Sequence, residues 1–454
     1  MLKVGLIDTG DKTFCRMPHI GLAYLAATLH KAGHKVEVID LYFSDNKEQD
    51  EFFNKDFGLI GITCTSFSFV TCLQTAQAIK RLNPNQIIVV GGPHASVARE
   101  EVLINKEIDF AIYGEGETPM LSLVELLDDD KNPSLEKLSQ INGLIFRNAK
   151  NRVVNPPAHR IRDIDSLPFP IYDSFPMKNY EMYPLSSSRG CPYDCAYCAS
   201  SAIMGRKWVE RSPESLLKEI EEIIKKWGKR HFYIIDDSFN INEERVKKFC
   251  RQLLAMKLDI TWGACGFRAD KSDPEMLYLM KKAGCKHIEV GVESANQRVL
   301  DNIGKGESIE QIKGGIRKIH EAGIQICGMF MIGNPGDTLD TVRESIEFAK
   351  AQPFDSIRFY LALPYPRTRL WEFVKEHGRF LRKDYTNFHD FSEVPIFETD
   401  SFTCEERMKA YEEAKKLMFP KGFPEELSFT KEKKLVVEYV SNKHERIKPR
   451  FAPQ

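Results

Sequence analysis

Ser186-Ser-Ser-Arg-Gly-Cys-Pro-Tyr-Asp-Cys-Ala-Tyr-Cys198 is the stretch from which the rest of the chain can be read. It sets Cys191, Cys195 and Cys198 in the spacing C-x3-C-x2-C. Three thiolates are one ligand short for most metal centres. A cubane iron–sulfur cluster takes one thiolate per iron, so three cysteines hold it and leave one iron open to a small molecule. A structural zinc ion would want a fourth tetrahedral ligand. The next cysteine is Cys250 and the next histidine His231, so none follows closely. The alternatives, a partly assembled zinc knuckle or buried structural cysteines, fare worse on ligand count.

Upstream of this stretch, short apolar runs alternate with helical patterns. Lys3–Ile7, Lys35–Ile39, Leu59–Thr63 and Gln86–Val90 read as strands, and Gly21–Ala32 and Cys72–Leu82 as helices. Such alternation predicts an α/β fold with a parallel, doubly wound, Rossmann- or flavodoxin-like sheet over residues 1–140. Ligands of these sheets sit beyond the carboxyl ends of the strands. The segments there are small and polar, and they offer Thr9, Thr65, Ser66, Ser68, Gly91, Gly92, His94, Gly114, Glu115 and Gly116 as candidate contacts. Glycines let a ligand approach the backbone, and hydroxyls bond amides and phosphates. Taken alone these loops suit any flavodoxin-like domain, and a purely structural role stays open.

Residues 141–180 read as a proline-rich bridge, with Pro156-Pro157 and Leu167-Pro-Phe-Pro-Ile171 interrupting regular structure. Alternation resumes over 181–370. Helices are expected at Pro213–Lys226, Glu243–Met256, Asp273–Ala283, Ile309–Ala322 and Thr338–Ala351. Strands are expected at Phe232–Ile235, Thr261–Ala264, His287–Val292, Gln325–Ile332 and Ser356–Ala362. With the strand before Arg189 these units predict a partial (β/α)6 TIM-type barrel whose site lies at the strand carboxyl ends. Asp236 and Asp237, Arg268, Glu293 and Asn334 fall at those ends. A carboxylate there can equally cap the next helix, and Arg268 can be a surface ion pair. Residues 371–454 turn charged and helical, with Glu405–Leu417 the clearest helix and a basic end at Lys443–Gln454. Tyr360, Tyr365 and Arg367 sit where the sixth strand should open onto the site, so substrate contact and ordinary packing are both open. The remaining cysteines lack ligand spacing and read as small hydrophobes, with Cys265 and Cys327, near strand ends, as candidate catalytic thiols.

Composition bounds the partners. The 454 residues carry a formal net charge of −1, which makes no electrostatic case for nucleic acid or an anionic membrane. No apolar run approaches the ~18 residues of a membrane span, and the start reads as a strand rather than a signal peptide. Eleven cysteines without a secretory signal imply a reducing compartment, the cytoplasm by default.

The cysteine spacing with Tyr197 before the last thiol resembles the signature of the radical S-adenosylmethionine (SAM) superfamily. Gly291-Val-Glu-Ser-Ala295, Gly304-Lys305 and Gly333-Asn-Pro-Gly-Asp337 are similar to the elongator-protein-3/MiaB-type radical SAM core. Pro18–Ala27, Val89–Ala95 and Asp109–Glu117 resemble the cobalamin-binding domain found upstream of the cluster motif in B12-dependent radical SAM enzymes. The resemblance implies a [4Fe-4S] cluster on the three cysteines, SAM on its open iron, and cobalamin bound by the loops of the first domain. It also implies Tyr197, Asp236, Arg268, Glu293 and Asn334 as SAM contacts, and a flavodoxin or ferredoxin as electron donor. The Asp-x-His-x-x-Gly pattern that gives cobalt an axial histidine is missing: His19 precedes Ile20-Gly21 and starts a helix, and His94 follows a Gly-Gly-Pro turn as a loop contact. The implied activity is methylation of an unactivated carbon of a small molecule, one SAM giving the methyl through cobalamin and a second giving the 5′-deoxyadenosyl radical. The alternatives are a B12-dependent cyclase or rearrangement enzyme, a cobalamin-free radical enzyme with a vestigial first domain, and a cluster-bearing sensor or scaffold.

Overall fold

A computed structural model describes residues 1–10, 16–149, 151–382, 385, 388 and 392–418. Cys15 and the basic end Lys443–Gln454 lie outside the described residues. The first seven strands are β1 (Lys3–Asp8), β2 (Lys35–Asp40), β3 (Leu59–Thr63), β4 (Ile88–Gly91), β5 (Phe110–Ile112), β6 (Leu144–Asn148) and β7 (Asn151–Val154). They form one sheet in the order β2-β1-β3-β4-β5-β6-β7. The pairs through β5 are parallel, and β6 and β7 are antiparallel. Ile39, Ile7, Ile62 and Val90 stand in one cross-strand row, and β3 is buried at every position, the continuous run of a strand covered on both faces.

Helices α1 (Ile20–Lys31), α2 (Asn46–Phe53), α3 (Phe69–Leu82), α4 (Pro93–Ala98), α5 (Glu117–Asp129) and α6 (Leu135–Ser139) accompany this sheet. The order reverses between β1 and β3, so the loops after these strands part and leave a crevice there. Strands β6 and β7 lie in the stretch that reads as a bridge. Leu144-Ile-Phe146 is an apolar run short enough to pass for a linker until it pairs with β5.

The barrel strands are β8 (Tyr183–Leu185), β11 (His231–Ile234), β12 (Thr261–Phe267), β13 (Cys285–Glu293), β14 (Gln325–Ile332) and β15 (Ser356–Leu361). All are parallel and ordered β15-β14-β13-β12-β11-β8, an open six-stranded sheet. Their outward residues, Ile288, Val290, Val292, Phe330 and Ile332 among them, are fully buried. They lie under α8 (Pro213–Trp227), α9 (Glu243–Met256), α10 (Pro274–Lys282), α11 (Gln297–Ile303), α12 (Ile309–Glu321) and α13 (Leu339–Ala351). Side-chain caps start these helices where the sequence changes period: Ser212 ahead of Pro213, Asn242 ahead of Glu243, and Ser308 in a capping box with Gln311. A two-residue ribbon, β9 (Ser188–Arg189) with β10 (Val209–Glu210), brackets the cysteine loop and α7 (Ser200–Met204).

The chain beyond the barrel is not purely helical. Between α14 (Arg369–His377) and α15 (Cys404–Lys415), strands β16 (Gly378–Phe380) and β17 (Phe397–Thr399) pair antiparallel, strands too short to show a period in sequence. Leu363, Leu370, Tyr385, Phe388 and Phe397 join Ile62, Phe69, Val90 and Ala95 of the first sheet in one core. The segment after the barrel thus packs against the first domain, and a second core runs from Leu22 and Met120 through Tyr172 and Tyr183 to Leu216.

Candidate active site

The cysteine loop is anchored at both ends before any ligand is considered. At its root, Ser187 N and Ser188 Oγ each donate to the Asp236 carboxylate at 2.7 Å, and Ser187 Oγ donates to it as well. Asp236 is 3% exposed and burial raises its pKa, although these donors and Arg245 pull the other way. Both its oxygens are thus engaged in joining β8 to β11. Exposed Asp237 accepts from Gly190 N at 3.1 Å. Gly190 has φ +80°, and a side chain there would strike the Lys207 carbonyl. At the far end Ala196 N donates to Ile303 O and Leu370 N to Ala196 O, both at 2.8 Å.

Cys191, Cys195 and Cys198 are free thiols on this loop, half-buried. Burial pushes Cys195 up and Cys198 to about 12, with the neighbouring thiols adding to the rise. No group of three His, Cys, Asp or Glu side chains among the described residues converges as the ligands of one metal ion would. A tetrahedral zinc ion would draw sulfurs to within ~3.8 Å of each other. Three thiols on one loop, with charged groups grouped beside them, fit a polynuclear cluster with one open iron.

Beside the loop, the carboxyl ends of β12 and β13 hold a knot of charge. Lys305 Nζ lies 3.4 Å from Glu293 and 3.6 Å from Glu307, and Arg268 pairs with Asp270 at 2.9 Å and reaches Glu307 at 3.6 Å. Burial alone would lower Lys305, but the two carboxylates raise it. The Arg268 guanidinium lies 3.7 Å from the ring centre of Tyr193, inside the cysteine loop. Glu293 adopts φ +65°, a left-handed conformation uncommon for glutamate and a form of strain that clusters at functional sites. Gly291 makes room for it, since a Cβ there would lie 2.5 Å from Glu293 Oε1 and 3.1 Å from Lys305 Nζ. Glu307 Oε2 faces Lys305 and Arg268, each at 3.6 Å, and Asn334 Oδ1, past the end of β14, is a buried acceptor without a hydrogen-bond partner. Paired charges and an open acceptor at the strand ends suit a ligand carrying an ammonium group, hydroxyls and a carboxylate, as SAM does. Tyr197 is half-buried, and burial followed by Glu293 raises its phenol.

A cavity of about 400 Å³ connects the two halves of the molecule. Its inner end lies between the first sheet and helices α1 and α5, against Leu6, Leu25, Gly61, Val89 and Met120. Its mouth is formed by Gly91, Gly92, Gly114, Glu115 and Gly116, and its far wall by Ser186, Ser188, Arg189 and Asp237. Gly61 keeps the inner end open, because a Cβ there would lie 2.9 Å from Leu6 Cδ2 and 3.3 Å from Met120 Cε. An apolar slot opening onto glycine-lined strand ends fits a long amphiphilic cofactor such as cobalamin.

Thr9, Thr65, Ser66, Ser68 and His94 do not line this cavity. Thr9 donates to Thr63 O at 2.7 Å, and Ser68 caps the turn at Thr65. His94 is wholly buried, bonded to Ser66 Oγ at 3.0 Å and packed between the rings of Phe69 and Tyr385. Of the substrate candidates, Tyr360 faces the barrel lumen beside Arg358, and Tyr365 packs on Phe388. Arg367 turns away to pair with Glu100 of the first domain at 3.2 Å. Cys265 stays near the carboxyl end of β12, half-buried. Cys327 does not lie near that end: it is the third residue of β14, at the opposite end of the barrel and wholly buried. The strand spans the expected residues, but the thiol's position along it puts it about 16 Å from the carboxyl end, at about 3.3 Å per residue. Glu307, Asp270 and Tyr193 join the site without a sequence signal of their own, Asp237 joins it from the strand end where the sequence places it, and Lys305 only as part of the Gly304-Lys305 run.

The comparisons agree with this architecture. Residues 11–124 match the B12 binding domain and residues 185–349 the radical SAM superfamily. The chain is 31% identical over 410 residues to an uncharacterized methyltransferase of Pyrococcus horikoshii, covering 87% of this chain and 86% of that one. It is 28% identical over 387 residues to the anaerobic magnesium-protoporphyrin IX monomethyl ester cyclase of Cereibacter sphaeroides, covering 82% of this chain and 62% of that one. The solved structure of the radical SAM methyltransferase TsrM from Kitasatospora setae, with tryptophan substrate and a SAM analogue bound, superposes with a TM-score of 0.71 at 20% identity, covering 85% of this chain and 79% of that one. Sequence pattern, two-domain architecture and a relative matched along nearly its whole length therefore place this chain in the methyltransferase-like family of radical SAM enzymes with an amino-terminal B12-binding domain.

Proposed function

We propose that this protein is a cobalamin-dependent radical SAM methyltransferase acting on an unactivated carbon of a small molecule. The observation that carries the reading is the cavity shared by both halves, with the glycine-lined strand ends of the first sheet on one wall and the root of the cysteine loop on the other. Cys191, Cys195 and Cys198 would hold the cluster, and Lys305, Glu293, Asn334 and Tyr197 would contact SAM. Gly91, Gly92, Gly114 and Gly116 would admit cobalamin, with Leu6, Gly61 and Met120 around its apolar arm. When bound, the cluster supplies the electron that cleaves SAM to methionine and a 5′-deoxyadenosyl radical, and cobalamin supplies the methyl group. The chain's own part is to orient and to shield. The loop anchors at Asp236, Asp237 and Ile303 hold the cluster's ligands in place, and the cavity's apolar lining presents few groups that hold water.

Incubating the cluster- and cobalamin-loaded protein with methyl-deuterated SAM, a low-potential reductant and a small-molecule extract tests this. The expected result is 5′-deoxyadenosine together with a product three mass units heavier than the one formed from unlabelled SAM. SAM cleavage with no label in any product would replace methyl transfer by ring closure or rearrangement, a reading that the likeness to the cyclase of Cereibacter sphaeroides keeps in play. No SAM cleavage at all would overturn the enzyme reading.

A further inference from the structure

The six barrel strands separate two kinds of residue. The outward positions of β13, Ile288, Val290 and Val292, are fully buried, whereas the alternating inward positions, His287, Glu289 and Gly291, are half-buried. Met329 and Met331 on β14, Arg358 and Tyr360 on β15, and Tyr233 on β11 follow the same inward, half-buried pattern. A closed eight-stranded barrel fills its lumen with layers of branched aliphatic side chains. Here the lumen is polar and partly open.

Its floor is built around Glu289. Arg358 reaches it from two strands away, with Nη1 3.7 Å from Glu289 Oε1, and Tyr233 approaches from two strands away on the other side. In a flat sheet β11 and β15 would stand about 19 Å apart, four strand spacings, so the curl of the sheet alone brings these three side chains together. The floor is incompletely satisfied. Arg358 has five N–H donors, yet its partners are that 3.7 Å contact and the Tyr360 hydroxyl at 3.5 Å, and its side chain is 39% exposed. The Tyr233 hydroxyl is buried without a hydrogen-bond partner. The Arg358 backbone is level with Gly291 through Met329, but its side chain reaches Glu289, which is level with Cys327 and four residues before Glu293. The floor is therefore about 13 Å beneath the Glu293–Lys305 pair and the cysteine loop.

We propose that this lumen is the substrate pocket and that it selects a carboxylate-bearing small molecule, with the carboxylate on Arg358 and the rest of the molecule extending up the lumen toward the cysteine loop. This rests on the radical SAM reading above and adds the substrate class. A guanidinium presents a planar fork that matches a carboxylate, and Arg358 holds no carboxylate at hydrogen-bond distance among the described residues. One guanidinium and one carboxylate leave the floor neutral, which suits a monoanion, or a zwitterion whose ammonium meets Glu289, better than a phosphate dianion. Tyr233 and Tyr360 add hydroxyls that bond the same head group, and Met329 and Met331 give the substrate's body an apolar, adaptable wall.

Cys265, in the same lumen beside Glu289, serves as the reporter. Full-length, cluster-loaded protein is alkylated under anaerobic conditions with iodoacetate or with its neutral isostere iodoacetamide, and the rate at Cys265 is read by peptide mass spectrometry. Both reagents attack the same thiolate, so their ratio reports how the lumen receives a carboxylate. In R358Q the iodoacetate-to-iodoacetamide ratio is expected to fall threefold or more, in R358K to fall less, and in E289Q to rise. If R358Q does not fold, E289Q decides by a threefold rise or its absence. Because burial raises the Cys265 thiol, the alkylation is run at alkaline pH. A change below threefold overturns the assignment, and so does a Cys265 that neither reagent modifies even when the same pH series alkylates it in the unfolded protein, since the lumen would then be closed to small molecules. The radical SAM reading is judged separately by 5′-deoxyadenosine, which this alkylation does not require.

Discussion

His94 shows how a residue type misleads when its surroundings are unknown. A histidine after a Gly-Gly-Pro turn at a strand end invites a ligand role, yet it is enclosed by Ser66, Phe69 and Tyr385, and burial alone drops its pKa to about 3. A histidine that stays neutral when folded but protonates near pH 6.5 when unfolded adds stability that is full above pH 6.5 and is lost as pH falls toward the folded value. Denaturant titrations of the wild type should therefore show about 1.4 kcal/mol lost per pH unit below 6.5 in excess of H94Q. Parallel curves for the two proteins from pH 7 to 5 would show that His94 is solvated. At the same scale, Asp236 and Asp237 are neighbours with opposite fates, one closed around Ser187 and Ser188 and the other facing the cavity. Sequence can place both at a strand end but cannot say which one points where.

Among elements, helix α12 carries two adjacent glycines whose meanings differ. A Cβ on Gly315 would lie 2.9 Å from Ala269 Cα, closer than side chains pack, because α12 crosses directly over the turn that carries Arg268. A Cβ on Gly314 would meet nothing within 4 Å. Glycine inside a helix costs about 1 kcal/mol relative to alanine. G314A should therefore stabilise by up to ~1 kcal/mol, and G315A should destabilise by ~1–3 kcal/mol through overpacking. Urea melts of both variants check this, and equal shifts would show that α12 does not sit so close. The helices themselves were legible, because caps such as Ser212-Pro213 and Ser308 through Gln311 announce them locally. The paired strands β16 and β17, and β6 with the edge strand β7, were not, since each depends on a partner elsewhere in the chain.

For the whole molecule, the decisive contact is a buried ion-pair clamp between the two halves. Arg189, two residues before Cys191, bonds Glu115 at 3.0 Å and Glu117 at 2.7 Å, carboxylates from the loop after β5 and the first residue of α5, beside the first sheet's cavity. Burial would lower Arg189, but the two glutamates raise it. Removing one member of such a network leaves buried charge uncompensated, at about 3–5 kcal/mol. R189M should therefore lower stability by roughly that amount. Replacing all three together, as R189M with E115Q and E117Q, should recover most of it. Thermal melts of the single and triple variants measure this, and a triple variant no better than R189M would show that the arginine acts outside the clamp.

What the sequence determined by itself was everything carried by local spacing: the three-thiol loop, the strand–helix alternation of both domains and the apolar faces that fold them. What only the tertiary structure decided was which groups meet. Arg189 with Glu115, Arg358 with Glu289, and Arg268 with Glu307 are pairings set by the tertiary fold. A one-dimensional pattern records which residues are polar, but long-range contacts arise when the apolar faces are buried together, and that burial chooses the polar neighbours.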